Sequence, residues 1–348
     1  MRKALALLLS VVMSLSLLVS TAWAEDPVTQ DLAGKTVILH TNDVHGAIQD
    51  YAKVAALKAD YEKRGAIVYL VDAGDFSQGS VYVSLNKGAD AVTMMNAVGY
   101  DFVTLGNHEF DYGAQQLADN LVNAKFSILC SDVLDADGDP VAEAAVWSEV
   151  EESGLKIGFF GLATPETKTK ANPALIKGLT FLSGEALYKC AQEDIDWLKG
   201  QNVDVIICLT HLGVDKESQP NTSYDLYKNT TGIDFIIDGH SHSVMTKGPN
   251  GEPIQSTGTA LANVGVITID NATKKIESNE LIALKDYTGS DAAVAAAAKA
   301  IMDPIDAAYG EVFAKSAVDL NGAKAPGNRT EETNLGDLIT DAMMWAIK

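Results

Sequence analysis

Short apolar segments alternate with stretches of helical periodicity along this chain, and the alternation limits the folds open to it. The apolar segments are rich in Val, Ile, Phe and Tyr and recur at 36–40, 67–71, 102–105, 126–129, 156–161, 203–209, 233–237 and 264–269. Near-continuous apolar segments of this length are typical of strands buried on both faces. Helical spacing lies between them, for example at Val54, Leu57 and Tyr61. The pattern predicts an α/β sandwich whose later part contains a mixed sheet.

Polar side chains that can bind metal ions follow five of these apolar segments. Five of the six histidines lie in these motifs. The motif residues are Asp43 and His45, then Asp75, then Asn107 and His108, then His211, and finally His240 and His242. Because an open α/β sheet places its ligands at the carboxyl ends of its strands, we expect these side chains to meet at one edge. Each motif alone is a weak signal, but their joint occurrence after strands is a strong one.

Asp, Asn and His together favour a site for two divalent ions such as Mn²⁺, Zn²⁺, Fe²⁺ or Co²⁺ rather than Ca²⁺, which prefers oxygen ligands alone. A bridging carboxylate can hold two ions about 3.5–4 Å apart, and we assign that position to Asp75. We assign one ion to Asp43, His45, Asp75 and His242, and the other to Asp75, Asn107, His211 and His240. The spacing itself does not fix this division. We also expect the backbone of a strand end to point Asp43 and His45 the same way, and likewise His240 and His242.

One candidate acid–base pair lies beside the expected ligands. His108 adjoins Asn107 and is not needed as a ligand, so it can stabilise charge on a reacting group. Asp111 lies three residues later and can orient the imidazole, or it caps the following helix. We expect Glu109 to meet a helix N-terminus or to support the ligands. Ser77 and Gln78 are expected to polarise water in the site or to lie in solvent.

The motifs resemble a known family. Their order is similar to that of the calcineurin-like metallophosphoesterase superfamily. The segments LHTNDVHG, GDFSQGS, GNHEFDYG and GHSH are closer still to the secreted 5′-nucleotidase and UDP-sugar hydrolase family, over about residues 35–280. The resemblance implies a four-layer α/β/β/α sandwich of two mixed sheets, followed by a linker helix and the start of a second α/β domain. It also implies the division of ligands given above, the His108–Asp111 pair, and contact of Asn107 and His108 with substrate.

The domain order follows from composition and from this resemblance. Arg2 and Lys3 precede an apolar stretch that ends at Ala22-Trp23-Ala24, a pattern typical of a secretory signal, although an uncleaved anchor stays possible. We expect a signal peptide at 1–24, a linker at 25–34, the catalytic domain at 35–285 and a linker helix at 286–314 interrupted by Pro304. Residues 315–348 are expected to start a substrate-binding domain that this chain does not complete. There the resemblance implies that Arg329 contacts substrate phosphate, although a surface role is the alternative.

Charge restricts the partners. The chain has 47 acidic residues against 26 Lys and Arg, a net charge of −21, or −23 without residues 1–24. Such a surface disfavours nucleic acid and anionic membranes, both of which are held by excess basic residues. The sequence does not predict an oligomeric state. We expect a secreted phosphohydrolase that acts on 5′-nucleotides. The alternatives are hydrolysis of UDP-sugars or 2′,3′-cyclic nucleotides, a thiosulfohydrolase, and a secreted binding protein without turnover.

Overall fold

The computed structural model describes residues 31–312 and 314–347. The expected signal peptide, and all of the expected N-terminal linker except 31–34, lie outside these residues. The strands are β1 (Lys35–Thr41), β2 (Ile67–Asp72), β3 (Phe102–Thr104), β4 (Ser127–Leu129), β5 (Val133–Leu134), β6 (Ala145–Val150), β7 (Leu155–Ala163), β8 (Thr180–Phe181), β9 (Val205–His211), β10 (Phe235–Asp238), β11 (Val244–Met245), β12 (Ile254–Thr257), β13 (Asn263–Asp270) and β14 (Lys275–Ala283). The α-helices are α1 (Tyr51–Lys63), α2 (Val81–Ser84), α3 (Ala89–Val98), α4 (Ala114–Leu121), α5 (Thr167–Lys170), α6 (Glu185–Gly200), α7 (Ser223–Asn229), α8 (Ala292–Tyr309) and α9 (Asn334–Ile347).

Two six-stranded sheets form the core of residues 35–283. The first has the order β14-β13-β1-β2-β3-β4, with β1 to β4 parallel and β13 antiparallel to both of its neighbours. The second has the order β11-β12-β10-β9-β7-β6, in which the four central strands are parallel and the two edge strands antiparallel. Strands β5 and β8 pair separately. Both large sheets are therefore mixed.

Alternating side chains build the layers. In β9, Ile207 packs between the two sheets, whereas Ile206 and Cys208 face the helices on the outer side. Helices α1 and α3 cover the outer face of the first sheet, and α6 and α7 cover that of the second. The apolar segments are thus strands buried on both faces, as the sequence predicts. The expected four-layer α/β/β/α arrangement is confirmed.

Two edge strands, β6 and β14, escape sequence prediction. β6 and β14 have many half-exposed or exposed residues, and polar or charged side chains interrupt their apolar ones. A continuous apolar segment marks a strand that is covered on both sides, so a strand with an exposed face can lack that signal. The short strands β5, β8 and β11 also had no predicted segment, and neither did the central strand β12, whose residues are buried but mostly polar.

The chain divides into two compact units, and the boundary lies between Met302 and Asp303 within α8. The sequence predicts that Pro304 interrupts this helix. That prediction is wrong, because the helix continues through Pro304 to Tyr309. Val294 and Ala298 are buried in the apolar cluster on the outer face of the first sheet. The start of the expected linker helix therefore packs on the first unit, while the domain boundaries themselves stay predictions. In the described part of the chain, none of the helices has the length and apolarity that a membrane span requires.

Candidate active site

The expected metal ligands come from both sheets and lie together. Asp43 and His45 follow β1, Asp75 follows β2, and Asn107 follows β3. His211 ends β9, while His240 and His242 follow β10. Three groups of side chains each bring their potential ligand atoms within 4.8 Å of one another: Asp43 with His45 and His242, His45 with Asp75 and His108, and Asp75 with His211 and His240. The strand-end rule thus locates a real convergence of side chains.

The two outer groups correspond to the two expected metal positions. In one, His242 Nε2 lies 3.1 Å from His45 Nε2 and 3.3 Å from Asp43 Oδ1. In the other, His211 Nε2 lies 3.0 Å from Asp75 Oδ2. Asp75 also lies 3.9 Å from His45 Nε2, so its carboxylate stands between the two groups. This placement is what a bridging ligand requires.

Asn107 gives a direct test of whether a cation fits here. Its side chain is buried, and its Oδ1 atom has no hydrogen-bond partner among the described residues. Buried polar atoms are nearly always paired, so this acceptor calls for a hydrogen-bond donor or a cation. A divalent ion meets that need, and the donor set of Asp, Asn and His suits it.

Hydrogen bonds fix which nitrogen of two histidines faces the centre of the site. His45 Nδ1 lies 3.0 Å from the carbonyl oxygen of Gln78, and His211 Nδ1 lies 2.6 Å from that of Ala73. A carbonyl only accepts, so each Nδ1 carries the proton and each Nε2 keeps its lone pair. A neutral imidazole with a free Nε2 is the form that binds metal ions.

The local backbone corrects one expectation about these motifs. Strand alternation was expected to align Asp43 with His45, yet β1 ends at Thr41 and both residues have left-handed φ values of 50° and 48°. His240 and His242 are also left-handed, and their side chains belong to different ligand groups rather than to one side. Left-handed residues other than Gly are uncommon and strained. Tight turns, not extended strand ends, direct these side chains inward.

Close packing of the loops explains two motif glycines. A Cβ atom at Gly106 would lie 2.2 Å from Asp75 Oδ1, and one at Gly239 would lie 2.7 Å from His211 Nδ1. Any larger residue would push a ligand out of position. The glycines of GNHE and GHSH are therefore needed for the approach of neighbouring loops.

Glu109 ties two ligand loops together from within the protein. Its Oε2 accepts hydrogen bonds from the backbone N–H groups of Asp75 and Gly106 at 2.8 and 2.6 Å. Its Oε1 accepts from the N–H groups of Phe76 and Ser77, each at 3.0 Å, and from Ser77 Oγ at 2.9 Å. Of the two roles expected for Glu109, these contacts match support of the ligands. Ser77, which was expected to polarise water or to lie in solvent, donates hydrogen bonds to Glu109 instead. The carbonyl oxygen of Gln78 accepts from His45.

The charges of the side chains in the site favour the binding of a cation. Burial alone would raise the pKa of Asp75, but the neighbouring His211, His108 and His45 hold it below its usual value. Burial lowers the pKa of His211, yet the charges of Asp75 and Asp43 outweigh burial and raise it. Asp43 and Asp75 together thus attract a cation, and a metal ion can replace the proton on His211.

His108 and Asp111 form the expected pair at the edge of the ligand groups. His108 Nδ1 donates to Asp111 Oδ2 at 2.6 Å, and the imidazole centroid lies 5.2 Å from that of His45. Partial burial disfavours the charged imidazole, but Asp111 and Asp75 outweigh that effect and raise the pKa of His108. Because Asp111 binds Nδ1, Nε2 is the nitrogen of His108 that can meet another partner. Arg329 is exposed in the second unit, and its contact with substrate stays a prediction.

Sequence reasoning missed two supporting carboxylates. Glu166 follows β7, and its Oε2 lies 3.2 Å from His240 Nε2. Asp238, the buried last residue of β10, accepts hydrogen bonds through Oδ1 from Thr210 Oγ1 and from the N–H groups of Leu212 and Gly213. The signal for both was their place at a strand end, but neither belongs to a recognisable metal-binding motif.

The fold and the site together define a class of protein. A model of the calcineurin-like phosphoesterase family matches residues 36–244, and the chain belongs to that family. It is 28% identical to "Trifunctional nucleotide phosphoesterase protein YfkN" of Bacillus subtilis, over 92% of this chain and 24% of that protein. It is 29% identical to the 5′-nucleotidase of Diplobatis ommata, over 88% of this chain and 58% of that protein.

Solved structures agree with this relationship. The crystal structure of a 5′-nucleotidase precursor from Thermus thermophilus matches with a TM-score of 0.73 and 27% identity, over 90% of this chain and 67% of that chain. The chain spans between a quarter and three-fifths of the length of the two curated relatives named above.

Proposed function

We propose that this chain is a secreted phosphohydrolase that uses two divalent metal ions to release phosphate from 5′-nucleotides. The observation that carries the proposal is the pair of ligand groups around Asp75, with His108 at their edge. The ions are assigned as in the sequence prediction, with Asp75 shared. Their identity is left among Mn²⁺, Zn²⁺, Fe²⁺ and Co²⁺, which all accept these ligands.

Two metal ions, when bound, would activate water and neutralise charge on the phosphoryl group. The chain's own residues then have separate tasks. Asp75 and Asp43 hold the positive charge in place, and the carbonyl-bonded His45 and His211 keep their Nε2 atoms directed inward. Nε2 of His108 donates a hydrogen bond to an equatorial phosphoryl oxygen, where charge gathers during phosphoryl transfer. Asp111 holds Nδ1 of His108, so the ring presents Nε2 to substrate.

The choice of nucleotide substrate is supported by the names of the relatives. Several of them, including those from Rattus norvegicus and Homo sapiens, are 5′-nucleotidases. The Bacillus protein is described more broadly as a nucleotide phosphoesterase. Hydrolysis of a 2′,3′-cyclic nucleotide or a UDP-sugar is therefore the second candidate, because the same ligands serve both reactions. Arg329 is proposed to contact the phosphate of the substrate.

Phosphate release from AMP by a chain lacking residues 1–24, with Mn²⁺ and with EDTA, tests the activity. We expect release that depends on the metal and is faster than release from UDP-glucose or 2′,3′-cyclic AMP. His108→Ala should lower kcat by about 10²–10⁴-fold while the bound metal content is unchanged. Asp111→Asn still accepts from Nδ1 and should lose less. Two bound ions without hydrolysis of any of these esters would overturn the proposal.

Export is a separate part of the proposal and is tested separately. Expression of the whole sequence in a secreting host, followed by N-terminal sequencing of the exported protein, should give a product that starts at Glu25. Retention of residues 1–24 on an exported protein would support the anchor instead. Accumulation inside the cell would contradict secretion.

A further inference from the structure

Glu166 contacts a proposed metal ligand from outside the two ligand groups. It follows β7 in the segment Thr164-Pro165-Glu166, which reaches the site edge from the second sheet. Its Oε2 lies 3.2 Å from His240 Nε2 and 3.0 Å from Lys170 Nζ. The Glu166 side chain is 22% exposed, and that of His240 is 7% exposed. This carboxylate thus reaches the buried imidazole from the protein surface.

The bond to Glu166 makes His240 differ from the two histidines described above. His45 and His211 use Nδ1 to donate to a backbone carbonyl, which leaves Nε2 for the site. In His240 it is Nε2 that faces an acceptor, so Nδ1 is the nitrogen left with a lone pair. Nδ1 lies nearer the main chain than Nε2, so the backbone of His240 must come close to the ion. The carboxylate of Glu166 therefore selects the tautomer of His240 and sets how close its backbone lies to the ion.

The main chain of His240 is held in a matching way. Its N–H group lies 3.0 and 3.1 Å from the two carboxylate oxygens of Asp43, and its φ is 73°. A Cβ atom at Gly213 would lie 3.2 Å from the imidazole, so that residue leaves room for the ring. Asp43 thus fixes the backbone end of His240, the ring packs edge-on against that of His211, and Glu166 binds its distal nitrogen.

We infer that Glu166 is a positioning residue that holds His240 in its Nδ1-ligating form and thereby sets the affinity for one of the two metal ions. The inference rests on the proposed function, which assigns His240 as a ligand. The affected ion is the one shared by Asp75, Asn107, His211 and His240. The other ion, which is assigned to Asp43, His45, Asp75 and His242, does not depend on Glu166. Loss of an acceptor beside a ligating histidine costs about 10–100-fold in metal affinity.

The test compares Mn²⁺ binding by the wild-type chain, Glu166→Ala, Glu166→Gln, Glu166→Met and His240→Ala, with Glu193→Gln as the matched control. Glu193 also pairs with a lysine one helical turn away, Lys189, but on the exposed surface of α6. Metal content after dialysis is measured by mass spectrometry, and affinity by competition with a chelator. Circular dichroism establishes that each variant is folded.

We expect Glu166→Ala to retain one ion and to bind the other about 10–100-fold more weakly. Glu166→Gln should recover most of that loss, because its amide oxygen can still accept from Nε2. Glu166→Met, which has a similar length and lacks an oxygen acceptor, should not recover it, and full recovery by that variant would mean that Glu166 only fills space. Excess Mn²⁺ should restore AMP hydrolysis by Glu166→Ala. Glu193→Gln should match the wild type.

Two other outcomes separate this inference from the proposed function. If His240→Ala loses an ion while Glu166→Ala binds both as the wild type does, the role of Glu166 is wrong and the metal assignment stands. If His240→Ala binds both ions normally, the ligand assignment is wrong and the inference fails with it. A wild-type chain that binds two ions but hydrolyses no ester would overturn the activity alone, since the binding comparison would still decide the role of Glu166.

Discussion

The two halves of the candidate site are held by buried carboxylates of very different design. In the half built on the first sheet, Glu109 uses both oxygens and accepts five hydrogen bonds from the loops after β2 and β3. In the half built on the second sheet, Asp238 accepts three hydrogen bonds through Oδ1, while Oδ2 has no hydrogen-bond partner among the described residues. Both carboxylate oxygens of Glu109 are thus hydrogen-bonded, whereas only one oxygen of Asp238 is. The first half should therefore be the more rigid frame and the second the more tolerant of change.

Glu109→Gln gives the largest effect that this comparison predicts. Glutamine keeps one acceptor and places an NH₂ group against backbone N–H groups that have no other acceptor among the described residues. We expect a loss of about 3 kcal/mol or more in the free energy of unfolding. Asp238→Asn is the matched control, because its amide nitrogen can take the place of the unpaired Oδ2. It should cost about 1 kcal/mol or less. Urea unfolding of both variants in EDTA measures the difference, and equal losses would refute the contrast.

Two carboxylates outside the site, those of Asp132 and Asp194, make the free energy of unfolding depend on pH. Burial raises the pKa of Asp132 and of Asp194 to about 7. The folded protein therefore keeps protons that the unfolded chain releases near pH 4, so these groups reduce stability as the pH rises from about 4 to 7. Above pH 7 the full reduction is present.

Asp194→Asn should remove the part of this pH dependence that belongs to Asp194. We expect the variant to be more stable than the wild type, by a margin that grows by about 2 kcal/mol between pH 5 and pH 8. Asp196→Asn, on the exposed side of the same helix, is the control and should show no such growth. Urea unfolding at pH 5, 6.5 and 8 gives the margin. A margin independent of pH would show that Asp194 is ionised throughout.

Lys170→Met should give the smallest effect. Lys170 lies 3.0 Å from Glu166 one helical turn away, and its side chain is 47% exposed, so solvent screens the pair. We expect a loss of about 0.5 kcal/mol or less in the free energy of unfolding and a change of no more than about twofold in Mn²⁺ affinity. A tenfold weaker affinity would mean that Lys170, rather than the tolerance of this half, controls the position of Glu166.

Sequence reasoning reached the core of the fold for a definite physical reason. Strands such as β1, β7 and β9 are buried on both faces, so their residues are apolar in succession and stand out against helical spacing. The edge strands β6 and β14 are interrupted by polar or charged residues and gave no such signal. The predicted interruption of α8 at Pro304 was wrong, because the helix continues despite the backbone hydrogen bond that proline cannot donate.

The sequence predicted that the side chains of the candidate site lie close together, but it did not predict their geometry. Asp43, Asp75, Asn107 and His211 follow strands and could be grouped by that rule alone. The left-handed backbone at His240 and His242 was not predictable, because tertiary contacts impose it. Glu166 was missed because a single glutamate after a strand resembles any surface residue until its neighbour across the sheet is known.

The order of strands in the first sheet has a consequence for synthesis on the ribosome. β1 pairs with β13, so that Lys35 lies opposite Asp270, a residue translated 235 positions later. At roughly 5–20 residues per second, one side of β1 waits on the order of ten seconds or more for its partner. During that interval the nascent chain already carries Asp43, His45 and Asp75 beside an open strand edge. Completion of the sheet therefore has to await the arrival of β13, close to the end of the first unit.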